Sequence, residues 1–287
     1  MTKVYSICNQ KGGVGKTTTA VNTAAFLAIS GYNVLLIDMD PQGNATSAVG
    51  IKREEVKNSV YDVLIEGILV ESAITKTKTK NLCVIPANTS LAGAEIELVS
   101  EMAREYKLKE ATKAIIDSYD YVFIDTPPSL SLLTINALVA SDDVIIPIQC
   151  EYFALEGLSQ LLKTIELVKN NLHPALKIGG IVLTMYDSRL ILNNEVLEEV
   201  REHFPDLLFE TIIPRNVRLS EAPSYGMPIL FYDPTSSGSI AYEKFAKELI
   251  AGNNISKSLK KENDDTTGGD KTQCQSLNAD LAEACQL

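Results

Sequence analysis

Ten residues near the start of the chain, Asn9 to Thr18 (NQKGGVGKTT), restrict its fold more than any other stretch. An apolar run, Val4–Cys8, leads into them, and an apolar run with helical character follows. A strand that turns into a helix through glycines builds a cradle for an anion. Gly12, Gly13 and Gly15 let successive backbone N–H groups turn inward. A helix starting at Lys16 aims its positive end at the same point. The general pattern is G-x-x-x-x-G-K-[ST]. Gln10 stands where the first glycine would be, but Val14, Gly15, Lys16, Thr17 and Thr18 complete the loop and its exit. Lys16 is placed to reach β- and γ-phosphates, and the Thr17 hydroxyl suits Mg²⁺. The expected ligand is ATP with Mg²⁺.

Such a loop needs a sheet behind it. Short β-branched runs alternate here with longer amphipathic stretches, the pattern of a parallel sheet wrapped by helices. The expected strands are Val4–Cys8, Val34–Ile37, Leu82–Ile85, Tyr121–Ile124, Val144–Ile148, Ile178–Leu183 and Leu208–Ile212. They are apolar throughout, as strands covered on both faces should be. Ala154–Asn171 carries Leu155, Leu158, Leu161, Leu162, Ile165 and Val168 at helical spacing. A last helix is expected near Ser239–Ala251. The fold class is therefore α/β: a P-loop NTPase with a mostly parallel, twisted sheet flanked by helices on both faces. From about Gly252 the composition turns polar. Residues 1–252 are expected to form one domain and 253–287 a polar, disordered tail.

Charge narrows the partners. Twenty-six basic against 37 acidic residues leave a net charge of −11. That balance argues against a body coated in basic charge for gripping nucleic acid, though not against a small basic patch on one face. The five cysteines are scattered and show no CxxC, so neither a disulfide framework nor a zinc site is implied. A reducing, cytoplasmic setting is expected. His173 and His203 read as surface or helix-end residues. No secretory leader is expected ahead of the first strand. The apolar stretch from Ala20 to Ile37 is broken by Ser30, Gly31 and Asn33, so no membrane span is expected.

Carboxylates sit where phosphate chemistry needs them. The second strand ends in VLLIDMDPQGN (34–44) and the fourth expected strand in YVFIDTPP (121–128). In open α/β sheets ligands lie beyond the carboxyl ends of strands, so Asp38, Asp40 and Asp125 are expected to converge on the phosphates. Asp125 fits a role holding Mg²⁺ through water. Asp40 could orient the attacking water. Strand-end aspartates also commonly cap helices and turns, and that alternative stays open for Asp38 and Asp125.

Lys11 is a second lysine inside the loop. The spacing KGGVGKTT resembles the deviant Walker A of the ParA/MinD ATPase superfamily. DMDPQGNATS (38–47), DTPPSLSLLTINAL (125–138), PIQCEYFALEGL (147–158) and IPRNVRLSEAPSYG (213–226) look like the ParA/Soj chromosome- and plasmid-partitioning ATPases. The resemblance covers about residues 1–250 in the same order. It implies that Lys16 and Thr17 bind ATP and Mg²⁺, and that Asp40 is needed for hydrolysis. Lys11 and Gly12 would line a nucleotide-sandwich homodimer, with Lys11 reaching the partner's phosphates. The loop from Pro214 to Asn216 would flank the adenine. Members without an extra N-terminal helix-turn-helix bind double-stranded DNA non-specifically as ATP dimers, and this chain is read as that short form. Arg189 and Arg218 occupy positions that look like the DNA contacts. A ParB/Spo0J-type centromere-binding partner would stimulate slow hydrolysis and release the protein from the nucleoid.

Two relatives within the superfamily fit less well. A MinD-like membrane-recruited regulator needs a C-terminal amphipathic helix with lysines, whereas residues 276–287 hold Asp280 and Glu283 and no basic residue. An iron-protein-like reductase needs a pair of cysteines beyond Asp125, and Cys150 stands alone there before the tail.

Overall fold

The computed structural model describes residues 2–151 and 154–264, with side chains through residue 252. Seven strands form one sheet: β1 (Lys3–Ile7), β2 (Val34–Asp38), β3 (Thr75–Lys76), β4 (Leu82–Ile85), β5 (Tyr121–Asp125), β6 (Asp143–Gln149) and β7 (Lys177–Thr184). Their order is β3-β4-β2-β5-β1-β6-β7. All neighbours run parallel except β3, which pairs antiparallel with β4. The expected mostly parallel α/β architecture is thus present. Register sets the site, because Ile7 and Asp38 both pair with Asp125, bringing three strand ends level.

The helices are α1 (Lys16–Ile29), α2 (Asn44–Ala48), α3 (Leu91–Glu97), α4 (Lys107–Thr112), α5 (Leu132–Val139) and α6 (Ala154–Asn171). Then follow α7 (Ile191–His203), α8 (Val217–Glu221), α9 (Ile229–Tyr232) and α10 (Ser237–Asp264). Strand side chains alternate faces with period two, so each central strand feeds two cores. Tyr5, Ile7, Val34, Leu36, Tyr121 and Phe123 pack with α1 and α10. Val4, Leu35, Ile37, Val122 and Ile124 pack with α3, α4 and α5. The β6–β7 edge packs against α6 and α7 through Ile146, Ile148, Ile181 and Leu183. Because both faces are covered, β2 and β5 are buried along their whole length.

Three features depart from the sequence reading. Leu208–Ile212 is not a strand: it runs beside β7 and touches the sheet through isolated parallel bridges, Ile181↔Leu208 and Tyr186↔Pro214. The N–H groups of Glu210 and Thr211 donate instead to the Glu248 carboxylate of α10, at 2.7 and 3.0 Å, which takes them out of the ladder. Strand β3, two residues long, is too short to leave a periodic signal. Finally, α10 continues through Gly252 to Asp264. A single interior glycine costs a helix about 1 kcal/mol and need not end it. The rest of the segment read as a tail, residues 265–287, lies outside the described residues. Among the described residues no helix is long and apolar enough to cross a membrane.

The seam between α10 and the sheet rests on Phe245, fully buried and edge-on to Phe209 with ring centroids 4.8 Å apart. Phe245→Ala should cost about 3–5 kcal/mol. Urea unfolding measures it, and a loss below about 1 kcal/mol would show that α10 does not close that face.

Candidate active site

Between β1 and α1 the loop takes the shape the glycines permit. Gly13 and Gly15 adopt φ of +76° and +87°, a region that side chains with a Cβ rarely enter. The loop is braced from both sides. Asn9 donates its side-chain amide to the Pro147 carbonyl (2.7 Å) and accepts the Lys11 N–H (3.0 Å). On the far side, the Thr184 hydroxyl at the end of β7 donates to the Val14 carbonyl (2.8 Å). Among the described residues no protein acceptor meets the backbone N–H groups of Gly12, Gly13, Val14 or Gly15. Four donors converge at a helix N-terminus, an arrangement suited to an anion.

The two loop lysines point to different places. Lys16 is buried, 6% exposed, and its Nζ donates back to the Lys11 carbonyl at 3.2 Å. Burial lowers its pKa, while the charges of Asp125 and Asp40 oppose that shift. Lys11 is about half exposed, and its Nζ lies 2.7 Å from Glu151 Oε2, just beyond β6. A pair that open contributes little, on the order of 0–1 kcal/mol, and separates easily.

The three aspartates are engaged differently. Asp125, with no exposure, accepts the Thr17 hydroxyl on Oδ2 at 2.7 Å, and its buried Oδ1 has no partner. Asp40 is 7% exposed; its Oδ1 accepts the Gln42 N–H at 2.9 Å. Asp38 does otherwise. Its Oδ2 accepts both the N–H and the hydroxyl of Thr46 (2.8 and 2.7 Å), and its Oδ1 accepts the Asp40 N–H (3.2 Å). Asp38 thus pins α2 to the end of β2, the capping alternative, rather than facing the loop's anion cradle. Burial pushes its pKa up to about 6 against these three donors. Burial, then the neighbouring Asp38 charge, also raises Asp125 well above the carboxylate range, and Thr17 and Lys16 offset only part of this.

The remaining expected residues lie farther out. Pro214 bridges to Tyr186 beside β7. Asn216 caps α8: its Oδ1 accepts the Arg218 N–H and its Nδ2 donates to Ser237 Oγ, both at 2.8 Å. Arg189 is clamped by Asp187 through two side-chain bonds of 2.8 and 2.6 Å. Arg218 lies 2.8 Å from Glu221 and 3.4 Å from Asp233. Sequence reasoning missed Glu151, Thr46 and Thr184. Thr184 in particular carries no local signal, because it meets the loop from a strand end about 170 residues away.

The buried charge of Asp125 has a measurable consequence. Its pKa is raised on folding, so over the window above the ordinary carboxylate range the folded chain holds a proton that the unfolded chain releases. Stability then falls as pH rises through that window and stays reduced above it. Asp125→Asn keeps an acceptor for Thr17 and removes the charge. The nucleotide-free variant should be more stable at pH 7.5 by about 1–3 kcal/mol, with the gain vanishing toward pH 4. Urea titrations at both pH values check this; equal stabilities at pH 7.5 would place the cost elsewhere.

Comparison with known proteins agrees with this geometry. A family model described as an AAA domain matches residues 2–178. The chain is 57% identical over 251 residues to the sporulation initiation inhibitor protein Soj of Bacillus subtilis, covering 88% of this chain and 99% of that one. It is 52% identical over 251 residues to the chromosome partitioning protein ParA of Caulobacter vibrioides, covering 87% and 94%. Among solved structures, a Mycobacterium smegmatis protein named cobyrinic acid a,c-diamide synthase, with bound ATP analogue and magnesium, superposes with a TM-score of 0.77. That match has 39% identity and covers 87% of this chain and 95% of the other. Loop, strand-end carboxylates and extended similarity lead to one conclusion: the chain belongs to the ParA/Soj family of P-loop partitioning ATPases.

Proposed function

We propose that the chain is a partitioning ATPase whose ATP-bound homodimer binds double-stranded DNA without sequence preference and is released by hydrolysis. The observation that carries this reading is the divergence of the two loop lysines. Lys16 turns into its own phosphate cradle, whereas Lys11 stands outward, half exposed, on a weak contact with Glu151. A lysine inside such a loop that faces away from its own cradle suits the phosphates of a second protomer, with Gly12 at the same interface.

The residues present fit ATP and Mg²⁺. Four free backbone donors and Lys16 answer the phosphates, and the orphaned Asp125 Oδ1 beside the Thr17 hydroxyl answers a hydrated cation. Thr17 would hold Mg²⁺ directly and Asp125 through water, and the ion would neutralise charge on the phosphates. Lys16 orients the phosphates and stabilises their charge. Asp40, held by Gln42 and backed by Asp38, orients a water for attack and can take up its proton. The turn from Pro214 to Asn216 would flank the adenine. Because both ends of the Asn216 side chain are engaged, its part there falls to the backbone.

Arg189 and Arg218 serve as phosphate contacts on DNA in this reading. Both are exposed and both are already paired with carboxylates, so each contributes less than a free cation would. Dimerisation doubles the contacts, so ATP can switch DNA binding on without any new residue. A ParB-type partner would accelerate hydrolysis, and the protein would concentrate on the nucleoid within the cytoplasm.

Sedimentation on plain duplex DNA with ATP, ADP or no nucleotide tests the switch. Retention is expected with ATP alone, and equal retention in all three states would end the reading. Asp40→Ala should bind ATP, lose about 10²-fold or more in turnover and persist as a dimer on gel filtration with ATP and Mg²⁺. Lys11→Gln should bind ATP yet remain a monomer; normal dimerisation would remove the role assigned to that lysine.

A further inference from the structure

The arginines expected on DNA are engaged by carboxylates of their own chain, but one group of cations is not. Lys76, Lys78 and Lys80 lie at the turn between β3 and β4, and all three are exposed. None of them forms an ion pair among the described residues. In a chain of net charge −11, three such lysines at alternate positions are an unusual local concentration.

The turn that carries them is a built structure. The Thr77 hydroxyl donates to the carbonyls of Leu82 (2.9 Å) and Thr79 (3.2 Å), and the Thr79 N–H donates to Thr77 Oγ1 (3.1 Å). Asn81 takes φ of +63° and ties the turn to the last residues of α1 through the Ala28 carbonyl (3.3 Å). Thr79 is buried, so the threonines close the turn while the lysines face solvent.

Its position separates it from Arg189. β3 is one edge of the sheet and β7 the other. Six inter-strand steps of ~4.8 Å put them roughly 29 Å apart. Lys78 and Lys80 precede β4, at the N-terminal end of the parallel strands, whereas Arg189 follows the C-terminal end of β7. One duplex reaching both would have to bend sharply around the domain, at a cost of about 1–6 kcal/mol for a short site.

Unpaired lysines attract a polyanion, and each phosphate they neutralise releases counterions. The turn offers Thr77 and Thr79 between its lysines, Asn81 after them, and no large apolar side chain to enter a lipid surface. We propose that the Lys76–Lys80 turn is a second DNA-contacting surface, so that one assembly holds two duplex segments at once. This rests on the DNA-binding reading above and adds bridging to it.

The test uses the full chain with ATP and Mg²⁺ on a bead-tethered duplex, with capture of a second, fluorescent duplex of unrelated sequence. Lys76→Gln, Lys78→Gln and Lys80→Gln together should cut capture of the second duplex at least tenfold while the protein stays on the first. The slope of log K against log salt should shrink by up to ~2.7 per protomer. Arg189→Gln with Arg218→Gln should instead weaken binding to the tethered duplex. If wild type never binds DNA, the underlying reading fails and bridging with it. If the arginine variant loses binding while the lysine variant captures normally with an unchanged slope, DNA binding stands and this inference falls. Lysines on an edge strand also deter edge pairing; aggregation of the lysine variant with capture intact would assign them that role. Loss of pelleting with phosphatidylserine vesicles and no change on DNA would assign them to a membrane. Should the triple variant lose its circular-dichroism melt, Lys78→Gln alone must still lower capture, and an unchanged value overturns the proposal.

Discussion

Buried charge at the ends of two adjacent strands governs how this domain is put together. Asp125 and Asp38 sit in register on adjacent strands with no exposure, and Lys16 approaches Asp125 from the first turn of α1. Two carboxylates at that distance from water repel each other and resist ionisation. The fold answers Asp38 completely, with two bonds from Thr46 and one from the Asp40 backbone. Asp125 is answered by one hydroxyl and a buried lysine, and one of its oxygens is left bare. The domain leaves a poorly compensated carboxylate at the point where a hydrated cation would relieve it.

The loop geometry follows from the same constraint. Left-handed backbone at Gly13 and Gly15 brings Lys16 toward the carboxylates while its main-chain donors remain open. That shape is not local to the glycines: Asn9 ties it to β6 and Thr184 ties it to β7. The Lys11–Glu151 contact then joins the loop to the segment after β6. A change at either strand end would therefore be felt in the cradle.

Surface cations divide into two kinds. Lys11, Arg189 and Arg218 rest on carboxylates of the same chain, so a phosphate must displace or share them. The lysines of the β3–β4 turn have no such competitor. Pairing restrains the first set, and position at the far edge of the sheet isolates the second.

The sequence determined the phosphate loop, the strand-end aspartates and the alternation of strands with helices. These are local: glycine spacing, period-two apolar runs and a carboxylate after a buried run can be read within ten residues. The separate role expected of Lys11 came from the resemblance of the loop to the deviant Walker A pattern. The sequence did not decide that Asp38 serves α2 rather than the loop's cradle, because the deciding partner, Thr46, becomes a neighbour only when α2 folds back on β2. Nor did it decide that Leu208–Ile212 leaves the ladder, since Glu248, about 40 residues on, takes the N–H groups of Glu210 and Thr211. Hydrogen bonds of long sequence separation leave no periodic trace. They were settled by tertiary structure.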